Sequence, residues 1–134
     1  MTRLALDTNT YTYFASGDEQ VLKLSRTLTG LYLPVVVLSE LLAGFEHGSR
    51  KAQNLALLER FLAQPGIELL ESRRQTASFY ARVYVSVRLR GRMIPQNDLW
   101  IAALCLEHGC SLFTLDAHIS EIEGLNVVER LEDL

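Results

Sequence analysis

Cysteines, long apolar runs and low-complexity stretches are scarce in this chain, and each scarcity excludes a class of protein. Only two cysteines occur, Cys105 and Cys110. Two are too few for a disulfide framework, so both read as reduced core residues, because a free thiol packs like a small hydrophobe. The longest apolar stretch, Leu31 to Leu38, falls far short of the ~20 residues that a membrane-spanning helix needs. Met1-Thr2-Arg3 leads at once into Leu4-Ala5-Leu6 and then a carboxylate, Asp7. A secretory signal needs a longer apolar region and a small-residue cleavage site, so the expected location is the cytoplasm. No linker, repeat or biased segment divides the chain.

What is present is the balance of a globular protein. Of 134 residues, 49% are apolar and 22% charged. That length suits one domain, residues 1–134, with a core that requires neither disulfides nor a structural metal. The net charge of −3 speaks weakly against nucleic acid, but its distribution does not. From Arg50 to Arg92 the chain carries nine Lys or Arg against three acids, Glu59, Glu68 and Glu71, while the remainder carries four bases against thirteen acids. A basic middle can hold phosphates; the competing reading is that these side chains are solvated helix faces.

Short apolar segments alternate with helical patterns. Leu4-Ala5-Leu6 reads as a buried strand, followed by a turn and short helix over Thr8 to Phe14. Asp18 is a candidate N-cap for a helix through Leu28 that Gly30 ends, and Leu31 to Pro34 fits a second strand. Val35 to Phe45 is ambiguous: three valines favour a strand, yet Leu38, Leu41, Leu42 and Phe45 recur at helical spacing, and a helix from about Val36 is preferred. Arg50 to Ala63 is amphipathic, with Leu55, Leu58 and Leu62 on one stripe. Pro65-Gly66 is a turn before a strand at Ile67 to Leu70. Gln75 to Arg90 is a long helix aligning Phe79, Val83 and Val87, with Tyr80 and Tyr84 beside them. Pro95 stops any helix before it. Asn97 or Asp98 then opens one through Glu107, which Gly109 terminates. Ser111 to Thr114 and Leu125 to Val128 are further strands. The pattern is that of an α/β fold with a mainly parallel sheet flanked by helices.

Four acids stand where the chain leaves a strand or enters a helix: Asp7, Glu40, Asp98 and Asp116. In a parallel sheet all four can face the carboxyl edge, where such folds bind ligands. Mg²⁺ and Mn²⁺ prefer oxygen ligands, and hydrolysis of a phosphodiester needs an activated water and neutralised phosphate charge. Each acid also has a plainer reading. Asp98 can be a helix N-cap and Asp116 a turn residue. Asp7 closes an apolar strand, and Glu40 sits among Leu38, Leu41 and Leu42, where an unpaired charge is costly. His47, His108 and His118 read as surface or helix-end residues.

These segments resemble a known family. Leu4-Ala5-Leu6-Asp7-Thr8-Asn9, Leu33 through Gly44, Ile94 through Ala103, Leu112-Phe113-Thr114-Leu115-Asp116, and the tail Ile122 through Val128 are similar to the successive motifs of PIN-domain ribonucleases, in particular the VapC-like toxins of bacterial toxin–antitoxin pairs. The likeness spans nearly the whole chain. It implies a PIN-like three-layer α/β fold and a Mg²⁺- or Mn²⁺-dependent endoribonuclease. It implies catalytic roles for Asp7, Glu40, Asp98 and Asp116, metal ligation by Asp7, Asp98 and Asp116, and support from Thr114 and Asn9. It also implies an RNA substrate, a homodimer and a cognate antitoxin with an Arg that enters the acidic pocket. His118-Ile119 departs from the aromatic that many relatives carry there, so no role is assigned to His118.

Other readings stay open on the sequence. A catalytically inactive PIN-like module would bind RNA or a partner only. A receiver-like signalling domain has similar size and topology, but Lys23 and Lys51 stand in the wrong places for its late lysine. A haloacid-dehalogenase-like phosphatase shares Leu6-Asp7-Thr8 loosely, but Asn9 replaces its second acid. The apolar residues of Asn54 to Leu62, with Tyr80 and Tyr84, are the expected dimer surface.

Overall fold

The computed structural model describes residues 2–17, 19, 23 and 26–133. Five strands, β1 (Thr2–Leu6), β2 (Leu28–Pro34), β3 (Ile67–Leu70), β4 (Ser111–Phe113) and β5 (Val127–Val128), form one sheet in the order β3-β2-β1-β4-β5, and every pairing is parallel. Among the described residues five α-helices connect them: α1 (Thr8–Ala15), α2 (Val35–His47), α3 (Lys51–Leu62), α4 (Arg74–Leu89) and α5 (Gln96–His108).

The chain begins in the middle of the sheet, builds outward through β2 and β3, and then crosses to the other side of β1 for β4 and β5. That reversal leaves a crevice beyond the carboxyl ends of β1 and β4, the place where parallel sheets bind ligands. Leu4, Ala5, Leu6, Leu33 and Leu112 are fully enclosed, as expected of central strands covered on both faces. In α5, Ile101 to Cys105 are all buried; a helix apolar on every side lies inside its domain. Its left-handed end at Gly109, φ 65°, is a conformation that costs glycine little. Cys105 and Cys110 are free and buried, and burial pushes the Cys110 thiol up to about 11.

The ambiguous segment after Pro34 is a helix, with Val37 and Leu41 buried one turn apart. Three sequence expectations change. The helix expected from Asp18 lies largely outside the described residues, and it cannot reach Leu28, which opens β2. Gly30 is therefore inside a strand. A side chain there would come within 2.7 Å of the Tyr32 hydroxyl, which accepts from Arg3 Nε at 3.1 Å. In α3 the buried pair is Leu58 and Phe61 rather than the Leu55-Leu58-Leu62 stripe, because Phe61 packs edge-on against Tyr11 at 5.1 Å. The last strand begins at Val127, not Leu125.

Candidate active site

Each expected acid is delivered to the same edge by a different element. Asp7 follows β1 directly and caps α1. Its Oδ1 accepts from the Thr10 amide at 2.9 Å and lies 2.9 Å from the Thr10 hydroxyl. Its Oδ2 accepts from the buried Thr114 hydroxyl at 2.5 Å. The carboxylate is only 7% exposed, a burial made tolerable by these donors. Asp7 is thus both a helix cap and part of a network that joins β1 to β4.

Thr114 holds the other side of that network. Its hydroxyl oxygen accepts from the Asp116 amide at 3.0 Å while donating to Asp7, so one fully buried hydroxyl fixes both acids. Asp116 Oδ1 in turn accepts from the His118 amide at 2.9 Å, so the turn reading of Asp116 holds for one of its oxygens. Glu40, in the second turn of α2, accepts from the Thr8 hydroxyl at 3.0 Å.

Asp98 differs from the other three. Pro95 precedes the helix and Gln96 opens it, which places Asp98 third, two positions after the opening residue. It makes no cap hydrogen bond; the N-cap explanation is removed. The first turn of a helix favours negative charge, yet Asp98 is held up to about 6. Burial is the largest cause, followed by the like charges of Asp116, Glu40 and Asp7. Those contributions put Asp116, Glu40 and Asp7 within electrostatic reach of Asp98 across the crevice.

Among the described residues, no three His, Cys, Asp or Glu side chains are already drawn together as a metal-binding group. The acids share a field without sharing a ligand shell. The donors are carboxylate and hydroxyl oxygens, the kind Mg²⁺ takes, and Mg²⁺ keeps several waters and needs only one or two carboxylates directly. Asn9 is exposed, and its backbone carbonyl accepts from the Thr12 hydroxyl at 2.8 Å; among the described residues no hydrogen bond ties its side chain to the acids.

Two residues at the site were not singled out from the sequence. Thr10 accepts from the Asp7 amide at 3.0 Å, and its hydroxyl lies 2.8 Å from the Phe113 carbonyl, so it locks α1 onto β4. Thr8 orients Glu40. The signal for Thr10 was present: an Asp followed three residues later by a hydroxyl residue is a reciprocal capping pattern.

Comparison with known proteins identifies the family and the fold. The family model of the PIN domain matches residues 4–125. Ribonuclease VapC5 of Mycobacterium tuberculosis is 32% identical over 98 residues, which cover 71% of this chain and 70% of the relative. A chain in the crystal structure of VapBC-5 from Mycobacterium tuberculosis, a member of the VapBC family of toxin–antitoxin systems, superposes with a TM-score of 0.74 at 26% identity, covering 97% of this chain and 100% of that one. In the structure of VapBC2 from Rickettsia felis bound to a promoter DNA fragment, a chain superposes with a TM-score of 0.83 at 22% identity, covering 95% and 98%; at that identity the likeness speaks for the fold. With the family model matching residues 4–125 and a ribonuclease VapC relative at 32% identity, the chain belongs to the PIN-domain family, in its VapC branch.

Proposed function

We propose that this protein is a divalent-metal-dependent endoribonuclease that acts as the toxin of a toxin–antitoxin pair. The observation that carries the reading is the convergence of Asp7, Glu40, Asp98 and Asp116 on the crevice at the carboxyl edge, close enough that three of them push up the fourth. All donors are carboxylate or hydroxyl oxygens, the set that Mg²⁺ and Mn²⁺ prefer. Mutual repulsion is what a dication relieves.

Asp7, Asp98 and Asp116 would hold the metal, with Glu40 beside them. When bound, the metal would lower the pKa of a water and neutralise charge on the scissile phosphate. The chain's own residues do the positioning. Thr114 and Thr10 fix the Asp7 carboxylate, Thr114 also fixes the Asp116 backbone, and Thr8 orients Glu40. A fixed carboxylate needs no reorganisation as charge develops. Arg73 to Arg92 supply cations for the flanking RNA backbone. The whole chain acts as one domain.

VapBC relatives are toxin–antitoxin systems, and this chain is assigned a cognate antitoxin. An Arg of that partner would enter the acidic crevice near Asp7 and Asp98 as a charge-assisted, bidentate contact. The homodimer is assigned to α4 rather than α3. Val85 and Leu89 are exposed, Leu89 at 82%, whereas Leu58 and Phe61 of α3 are buried in the core and Leu62 packs against it. Among the described residues no helix is long and apolar enough to cross a membrane, and the assigned location is the cytoplasm.

The test is cleavage of single-stranded and structured RNA with Mg²⁺ or Mn²⁺, with and without a chelator. Cleavage should require the metal and vanish in Asp98→Asn while the fold persists. Cleavage that survives both the chelator and Asp98→Asn would overturn the assignment.

A further inference from the structure

We propose that the groove between α4 and the first turn of α5 is a nucleobase-stacking subsite for unpaired RNA next to the acidic crevice. It rests on the ribonuclease reading above and specifies where that substrate lies. Planar groups form a ladder along this groove. Trp100 of α5 stacks on Tyr80 of α4 with ring centroids 4.3 Å apart and planes inclined by 24°. Tyr80 continues to Tyr84 at 6.2 Å and 26°. The Arg88 guanidinium lies 5.0 Å over the Tyr84 ring. A cavity of about 320 Å³ opens beside the ladder, with Tyr80, Tyr84, Arg88, Arg92 and Met93 among its walls.

The plain alternative is that these rings are simply core, but the outer end of the ladder is open. Tyr84 is 38% exposed and Met93 is 91% exposed. Among the described residues Arg88 has no acidic partner, whereas Arg92 pairs with Glu121 at 3.3 Å. The end plane of the ladder is the unpaired guanidinium laid over Tyr84, and a base takes its place on the ring while the displaced cation holds the adjoining phosphate, since bases stack on aromatic planes and cations hold the backbone. Paired bases hide their faces inside a duplex, so the groove selects unpaired ones.

The position fits. Gln96 and Leu99 also line the cavity, and they flank Asp98 in the first turn of α5. Groove and acid thus share the first turn of α5, and a strand with its phosphate at the acids reaches the groove by running around that turn. The exposed Val85 and Leu89 lie on a different stripe of α4 and remain available for a subunit contact.

Trp100 is the chain's only tryptophan, so its fluorescence reports on the ladder. The protein, kept in chelator so that nothing is cleaved, is titrated with a short oligouridylate and with an abasic sugar–phosphate of the same length. The oligouridylate should quench Trp100 and bind at least about tenfold more tightly than the abasic probe, the scale of one base–aromatic stack. Tyr84→Leu should remove most of that preference without lowering the thermal midpoint, and Arg88→Gln should weaken both probes alike. Equal binding of the two probes overturns the proposal, as does a preference untouched by Tyr84→Leu. If Tyr84→Leu changes the molar mass in light scattering but not the base preference, the groove is a protein interface and the proposal fails. Base preference that is absent while metal-dependent cleavage persists defeats only the subsite; preference that persists without cleavage defeats the ribonuclease reading instead.

Discussion

Replacing Asp98 by Asn should stabilise the metal-free protein, and the amount follows from the site. Asp98 is raised from an ordinary 3.8 to about 6, by burial and by Asp116, Glu40 and Asp7. At about 1.4 kcal/mol per pK unit the full shift would amount to about 3 kcal/mol, and because Asp98 is only half buried, solvent screening cuts the penalty of its ionised form to about 1–2 kcal/mol. Asparagine removes the charge but leaves a half-buried amide to desolvate, so a net gain on the order of 1 kcal/mol is expected. For a chain of this size that is roughly 3–6 °C in Tm. The sign depends on pH. The folded state binds the proton more tightly than the unfolded state, so the penalty is absent below about 4, grows between 4 and 6, and is complete above 6. The assay is urea unfolding of parent and variant in chelator at pH 7.5 and again near pH 4. The advantage of Asp98→Asn should be present at the higher pH and mostly gone at the lower. Added Mg²⁺ should then reverse the order by stabilising the parent more. A variant no more stable at pH 7.5, or an advantage that does not change with pH, would refute the claim that the crevice is a site of charge repulsion.

Other outcomes follow from the same geometry. Thr114→Val leaves Asp7 Oδ2 and the Asp116 amide without their shared partner; urea unfolding should show a loss of about 1–3 kcal/mol, and RNA cleavage should fall. Leu104→Ala empties a fully buried position in α5 and should cost about 2–5 kcal/mol by the same method. Val85→Glu with Leu89→Glu should halve the molar mass in light scattering without changing the metal-free stability appreciably, since both side chains are more than half exposed; an unchanged mass would move the dimer contact elsewhere.

Much of the fold was legible because the strands are short apolar runs set off by Gly and Pro. The strand expected at Ile67 to Leu70 matches to the residue, and the spacing of the leucines between Val35 and Phe45, which favours a helix from about Val36, agrees with the helix found at Val35–His47. The error at Leu28 has a physical cause: Gly30 reads locally as a helix stop, but it is small because Tyr32 lies across it, a tertiary contact no local pattern encodes. The α3 stripe failed similarly, since Phe61 is selected by Tyr11 from another helix. The four acids were legible because each stands at an element boundary. Of the threonines that hold them, Thr114 comes from the family resemblance alone, and Thr8 and Thr10 are not singled out by the sequence. A hydroxyl between apolar residues carries no periodicity, and only the fold brings Thr114 across to Asp7. The ladder of Trp100, Tyr80 and Tyr84 was visible only as aromatics on two separate helices.

The central claim is that these carboxylates share one divalent-metal site. The direct test is a Mn²⁺-soaked crystal with anomalous diffraction collected for the parent and for Asp98→Asn. An anomalous peak within coordination distance of Asp98 and of Asp7 or Asp116, lost or much weakened in the variant, is the predicted result. A peak elsewhere on the surface, or an undiminished peak in Asp98→Asn, would contradict it.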